Sequence, residues 1–187
     1  MSSESQEVVK KSFLVFFKKN RSWLLSIFII IVLGLLIAIG LNEYNKKKSL
    51  KISQDFNKAK ILIEKKDNNQ ALNILEGIIF EKDKFYSPSS LNLIIDNELL
   101  KDKNIILSYY DEIISNSKLD NNTKNLFIFK KIIFIGDEIS ENELLNNLKP
   151  LIQSNSIWKK SVADYIKQYY LSKSEFEKAK EFNKSIK

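Results

Sequence analysis

Apolar positions along the chain fall into two regimes. From Trp23 to Leu41 (WLLSIFIIIVLGLLIAIGL) there is no charge, and the only hydroxyl is that of Ser26. A helix of this length covers roughly 28 Å at about 1.5 Å per residue, close to the roughly 30 Å hydrocarbon core of a bilayer. Lipid offers no partners to backbone amides, so only a helix can cross that core as a single segment. The pattern predicts a transmembrane helix over 23–41, a basic tail over 1–22 and a separate domain over 42–187. A cleaved signal peptide has a shorter apolar core, about 7–15 residues, with a small-x-small site behind it. The nearest such site here, Ala38-Ile39-Gly40, lies inside the apolar run, which favours an uncleaved anchor.

From Asn42 onward the apolar residues recur three and four apart, with neither strand-like alternation nor an Asn-Gly hairpin signal. Leu50, Phe56, Ala59 and Ile63 predict that the transmembrane helix continues through about Tyr44–Lys65. Asp67 is placed to cap a helix carrying Ala71, Leu72, Leu75, Ile78 and Ile79. Ser87-Pro88 predicts a third start, with Ser as cap and Pro at the first helical position, running through Leu91, Ile94, Ile95 and Leu99. Asp102 and Asp120 predict two more caps, and Gly136 a left-handed stop. Ser140-x-x-Glu143 reads as a capping box ahead of Leu144, Leu145, Leu148 and Ile152, with Pro150 expected to kink or end that helix. A helix over about Ser156–Leu171 follows, then a second capping box, Ser174-x-x-Glu177, before Phe176, Ala179 and Phe182. The chain reads as all-α with short connections.

These helices repeat. Asp67, Asp102 and Asp137 stand 35 residues apart, each beside a turn between helices, and Ala71 and Ile106 follow four residues after the first two. In the third unit Glu141 occupies that point, and GDEISENEL carries an insertion; Ala179 lies 108 residues, or three steps of 36, after Ala71. A period near 34 in an all-helical chain is that of the tetratricopeptide repeat, whose helix pairs bury their apolar faces by stacking on neighbours. The expected fold is an N-terminal transmembrane helix followed by a tetratricopeptide-like α-solenoid of helix hairpins. The full repeat signature, with its Trp-x-x-Leu-Gly opening and closing Pro, is not present.

The net charge of +7 suggests nucleic acid until it is located. Lys10, Lys11, Lys18, Lys19 and Arg21 precede the apolar run, and Lys46, Lys47, Lys48 and Lys51 follow it. From Ile52 to Lys187 there are 21 Lys against 20 Asp and Glu, a net of +1. The excess therefore sits at the two membrane interfaces, where it pairs with anionic lipid head groups, and no nucleic-acid partner is expected. A short basic tail usually stays in the cytoplasm while a long following domain is translocated, which favours N-terminus in and domain out, although five positive charges before the run against four after it leave the orientation open. Ser12–Phe17 (SFLVFF) resembles a short amphipathic segment on the membrane surface. Ser26, Gly34 and Ala38 share one face of the span, and Gly34-x-x-x-Ala38 is a small-xxx-small pair that allows close helix docking.

Catalytic chemistry finds little support. Cys and His are absent, which removes thiolate nucleophiles, imidazole bases and the usual zinc, haem and iron–sulfur ligands. Asp111/Glu112 and Asp137/Glu138 are neighbours that point about 100° apart on a helix, a poor arrangement for acid–base work. Gly34, Gly40, Gly77 and Gly136 are too dispersed for a phosphate loop. Ser115-x-x-Lys118 and Ser156-x-x-Lys159 have nucleophile-pair spacing but no further catalytic pattern. No enzyme activity, cofactor, metal or small-molecule substrate is expected. Tyr109, Tyr110, Tyr165, Tyr169 and Tyr170 remain, as packing residues between helices or as the lining of a peptide groove. Tyr109 and Tyr169 are the leading candidates for partner contact.

A basic tail with one anchor is followed by Phe56-Asn57-Lys58-Ala59 and the turn Lys66-Asp67-Asn68-Asn69-Gln70-Ala71-Leu72. Then come Leu144…Leu148-Lys149-Pro150-Leu151-Ile152, Trp158…Ala163 and Phe176-Glu177-Lys178-Ala179. Over nearly its whole length the chain thus resembles the YfgM-type ancillary subunit of the bacterial Sec translocon. The resemblance implies a single-pass protein of the bacterial inner membrane with a periplasmic repeat domain. Its implied partners are the translocation channel, periplasmic chaperones and secreted clients, and the family has no catalytic residues to carry over. Ile106 and Leu145 depart from the small Ala typical of such repeats. The alternative is an envelope or division-complex assembly scaffold with no translocon role.

Overall fold

The computed structural model describes residues 21–185; the basic tail up to residue 20, with its SFLVFF segment, lies outside the described residues. Among the described residues there are eight α-helices and no strand. They are α1 (Arg21–Glu64), α2 (Asn68–Phe80), α3 (Tyr86–Asp96), α4 (Lys103–Ser115), α5 (Asn121–Ile135), α6 (Glu141–Gln153), α7 (Lys159–Ser172) and α8 (Phe176–Ser185), with a 3-10 turn at Gly136–Glu138. The chain divides into two units, Met1–Lys51 and Ile52–Lys187. In the first, the 23–41 segment and the residues that follow form one uninterrupted helix, as their shared period predicted, and its apolar side chains are exposed almost throughout.

In the second unit consecutive helices pack in pairs, and α4 also reaches back to α2. Local chemistry explains most helix starts. Asp67 accepts from the Gln70 amide and, at 2.7 Å, from its side chain. Asp102 accepts from Asn104 N and Ile105 N, Asp120 from Asn122 N and Thr123 N, and Ser140 from Glu143 N. Each satisfies amide donors that the first turn leaves without helical partners.

Other expectations are corrected. Helix α3 begins at Tyr86 because Asp83 Oδ1 accepts from both Phe85 N and Tyr86 N at 2.8 Å, ahead of Ser87. Ser87 is fully buried and donates to the Ile78 carbonyl at 2.7 Å, tying α3 to the end of α2, while Pro88 sits in the first turn where its missing N–H is harmless. The same helix stops at Asp96 and does not reach Leu99: Glu98 turns left-handed (φ 50°), and Leu99 N bonds Ile94 O. Ser174 is not a cap. It is the left-handed residue (φ 60°) closing α7, with Glu175 N bonded to Tyr170 O, and α8 starts two residues later. Helix α7 starts at Lys159 rather than Ser156, and α6 runs three residues past Pro150 to Gln153. Gly136 has the positive φ expected of a stop (68°), but its ψ of −137° is outside the left-handed helical region.

The cap positions define a register. Asp67, Asp102, Ser140 and Glu175 precede α2, α4, α6 and α8, at spacings of 35, 38 and 35 residues. Four residues after each come Ala71, Ile106, Leu144 and Ala179, whose amides bond the four preceding carbonyls and whose side chains are all buried. The three extra residues of the third unit are the length of the Gly136–Glu138 turn. The residue matching Ala71 there is thus Leu144, not Glu141, and Leu145 is not a departure at that site.

Equivalent helices bond one another across this period. Tyr86 donates to Ser53, Tyr109 to Glu76, Asn116 to the Lys82 carbonyl, Trp158 to the Asn122 carbonyl and Lys130 to Asn92. These partners are 33 to 38 residues apart. Two clusters form the interior. Ala59, Leu75, Leu91, Ile94, Ile106 and Ile113 belong to one, and Ile132, Leu144, Leu148, Val162 and Ile166 to the other. Helix α5 serves both: Phe127 enters the first cluster and Phe129 the second. Two residues apart on a helix point about 200° apart, so α5 is a shared wall.

Candidate interaction surfaces

Two surfaces follow from this arrangement, one on α1 and one among the paired helices. The apolar part of α1 is long and apolar enough to cross a membrane, with a mean hydropathy of 2.8 in its most apolar window and none of that window buried. Ser26, Gly34 and Ala38 are exposed on it, and a Cβ added at Gly34 would meet nothing within 4 Å.

Among the paired helices, the tyrosines decide what is open. Tyr109 is buried, with 6% of its surface exposed; its hydroxyl donates to Glu76 Oε1 at 2.6 Å and its ring stands edge-on to Phe80. Burial, then the hydrogen bond to Glu76, push its ionisation well above the ordinary range for tyrosine. Tyr169 is half-buried; its hydroxyl donates to the Ile139 carbonyl at 3.3 Å and Lys173 Nζ lies 5.7 Å from its ring centre. Neither ring lines either of the grooves described next. The second tyrosine of each pair does.

Tyr110, with Asn92, Ile95, Lys130, Ile133 and Phe134, borders a shallow groove of about 320 Å³ between α3 and α5. Burial, then the charge of Asp96, push Tyr110 up to about 12. Tyr170 borders a larger groove of about 620 Å³ between α6 and α8. Its floor is Leu145, Ile152, Tyr170 and Phe182; Lys149 and Gln153 stand on the α6 rim and Glu181 on the α8 rim. One end is closed by a clasp in which Glu141 accepts from Tyr170 at 3.0 Å and from Lys178 at 2.6 Å. The Lys178 bond is the main reason Glu141 ionises below the usual carboxylate range, and Lys178 in turn is held protonated by Glu141 and Glu175. Burial, then Glu141, push Tyr170 up to about 12.

The grooves present apolar floors with charged edges, an arrangement suited to holding a side chain or peptide segment by burial and rim contacts. Four of the side chains weighed for catalysis have other engagements. Asp111 pairs with Lys131 and Glu112 with Lys82, while Ser115 donates to the Glu112 carbonyl and Ser156 accepts from Trp158 N. Sequence reasoning missed Lys149, Gln153 and Phe182 as groove residues. The signal that finds them is the corrected register, available only once Ser140 replaces Asp137 as the third unit's reference point. No family model, curated protein or solved structure matches the chain.

Proposed function

We propose that this chain is a membrane-anchored interaction protein built from tetratricopeptide-like helix pairs. In this reading it is an ancillary subunit of the Sec translocon, contacting the channel, periplasmic chaperones and secreted clients, with its N-terminus cytoplasmic and its helical body periplasmic. The observation that carries it is the occurrence in one chain of an exposed N-terminal helical segment, uncharged over 23–41, and a body whose equivalent helices bond each other at a 33 to 38-residue period. Such a helix confines the body to two dimensions beside its partners, which raises effective concentration and lets weak contacts suffice. The exposed face of Ser26, Gly34 and Ala38 allows close packing against a partner's membrane helix, and the groove edged by Tyr170 offers a second contact. Tyr169 then serves as a support for the helices that frame the groove, and Tyr109 as a tie between α2 and α4.

Photocrosslinkers placed at exposed Asn146 and Lys180, on the two helices that frame the groove but outside its lining, test this reading in intact cells. Adducts with channel subunits, periplasmic chaperones or secreted chains support it; adducts confined to cytoplasmic proteins refute it. An envelope assembly scaffold would instead give one stoichiometric adduct independent of secretion.

A further inference from the structure

The groove between α6 and α8 has an internal template. Counting from the residue before each helix, Tyr109 of α4 and Phe182 of α8 occupy the same place, seven residues on. Glu76 and Phe80 of α2 correspond to Lys149 and Gln153 of α6, nine and thirteen residues on. At the α2–α4 junction the site is full: the Tyr109 ring is buried against Phe80 and its hydroxyl is bonded to Glu76. At the α6–α8 junction the corresponding site is open. Phe182 brings no hydroxyl, Gln153 brings no ring, and the carboxylate is replaced by an ammonium. Lys149 is exposed and pairs with no described residue, though its charge bears on Glu141. At the middle junction the residue equivalent to Glu76 is Asp111, which Lys131 takes up at 2.5 Å.

We infer that the α6–α8 groove binds an extended segment of a partner protein in which bulky apolar residues alternate with acidic side chains. The apolar groups replace the missing ring against Leu145, Ile152 and Phe182, and a carboxylate meets Lys149 where the template has Glu76. Glu181 on the opposite rim fixes the orientation, since the acidic edge must lie along α6. This deepens the proposed function and rests on its reading of the helical body as a protein-binding one.

The test uses the full chain in lipid nanodiscs and a dansyl-labelled peptide with both ends blocked, Ser-Phe-Glu-Leu-Glu-Phe-Ser, against its counterpart with Lys for each Glu. Blocked ends leave side-chain carboxylates as the only negative charges. The Glu peptide is expected to bind about three- to fivefold more tightly, the upper part of the range of one exposed ion pair. Lys149→Glu should reverse that preference with unchanged helicity, and Gln153→Phe should weaken the Glu peptide by filling the groove as Phe80 does. No binding, equal binding or a preference for the Lys peptide would overturn the inference. So would a folded Lys149→Glu protein that keeps the original preference. Failure of crosslinking to the channel with the peptide preference intact would instead overturn only the translocon assignment.

Discussion

Asn116 is the side chain on which stacking of the first two helix pairs can be measured most sharply. It is 2% exposed, donates through Nδ2 to the Lys82 carbonyl at 3.1 Å, and accepts through Oδ1 from Lys118 N at 3.0 Å. It therefore joins the end of α2 to the end of α4, 34 residues along the chain. Asn116→Ala removes both bonds and leaves the Lys82 carbonyl and the Lys118 amide without this partner. A hydrogen bond contributes about 1 kcal/mol net, and a stranded buried group costs about 1–3 kcal/mol. Both partners belong to exposed residues, where water replaces part of what is lost, so the expected loss is about 1–3 kcal/mol. Urea unfolding of the full chain in detergent, followed by circular dichroism, reads this as a lower midpoint. Asn97→Ala is the control, because Asn97 is exposed and bonds only the Leu93 carbonyl within its own helix, so a change within about 0.5 kcal/mol is expected. An Asn116→Ala protein within that same margin would refute the idea that this contact holds successive pairs together.

Three further outcomes follow from local geometry. Glu98→Gly should stabilise by roughly 0.5–1 kcal/mol, because an L-residue pays about 1–2 kcal/mol in the left-handed region, partly offset by glycine's entropy; Gly136→Ala, at φ 68° and ψ −137°, should cost about 1–3 kcal/mol although nothing blocks its Cβ. Equal effects of the two in chemical denaturation would contradict this. Ser90 is fully buried and its hydroxyl has no partner among the described residues, so Ser90→Ala should be neutral or raise the thermal midpoint. A marked drop would show that the hydroxyl is engaged. Glu141 ionises below its ordinary 4.5, so the stability it contributes is present above that pH and lost as pH falls through its lower folded value. Glu141→Gln should be less stable than wild type at pH 7, with the difference vanishing in acid; a pH-independent gap would contradict the clasp.

What was legible in the sequence is what short-range chemistry decides. The caps at Asp67, Asp102, Asp120 and Ser140 were readable because a side-chain oxygen two or three residues from the amide it serves depends on nothing distant. The closing turns were not. Lys66, Lys82, Glu98 and Ser174 all take positive φ without being glycine, so the usual marker of a helix end is missing at each. Ser87-Pro88 carried a correct local rule that Asp83 pre-empted by binding two amides earlier in the chain. The groove was hidden for a different reason. Neighbouring tyrosines differ by about 100° in direction, and choosing Tyr170 over Tyr169 requires the rotational phase of α7 against α6. That phase, like the equivalence of Lys149 with Glu76, emerges only when the three-residue lengthening at Gly136–Glu138 is placed.

Protease accessibility in inside-out inner-membrane vesicles, combined with alkaline carbonate extraction, puts the proposed topology to the most direct test. The chain should remain with the membrane at full length, and the body from Ile52 onward should be digested only after detergent opens the vesicles. A body released by carbonate, trimmed near Gly40, or cut without detergent would contradict an anchored protein that meets its partners across the membrane.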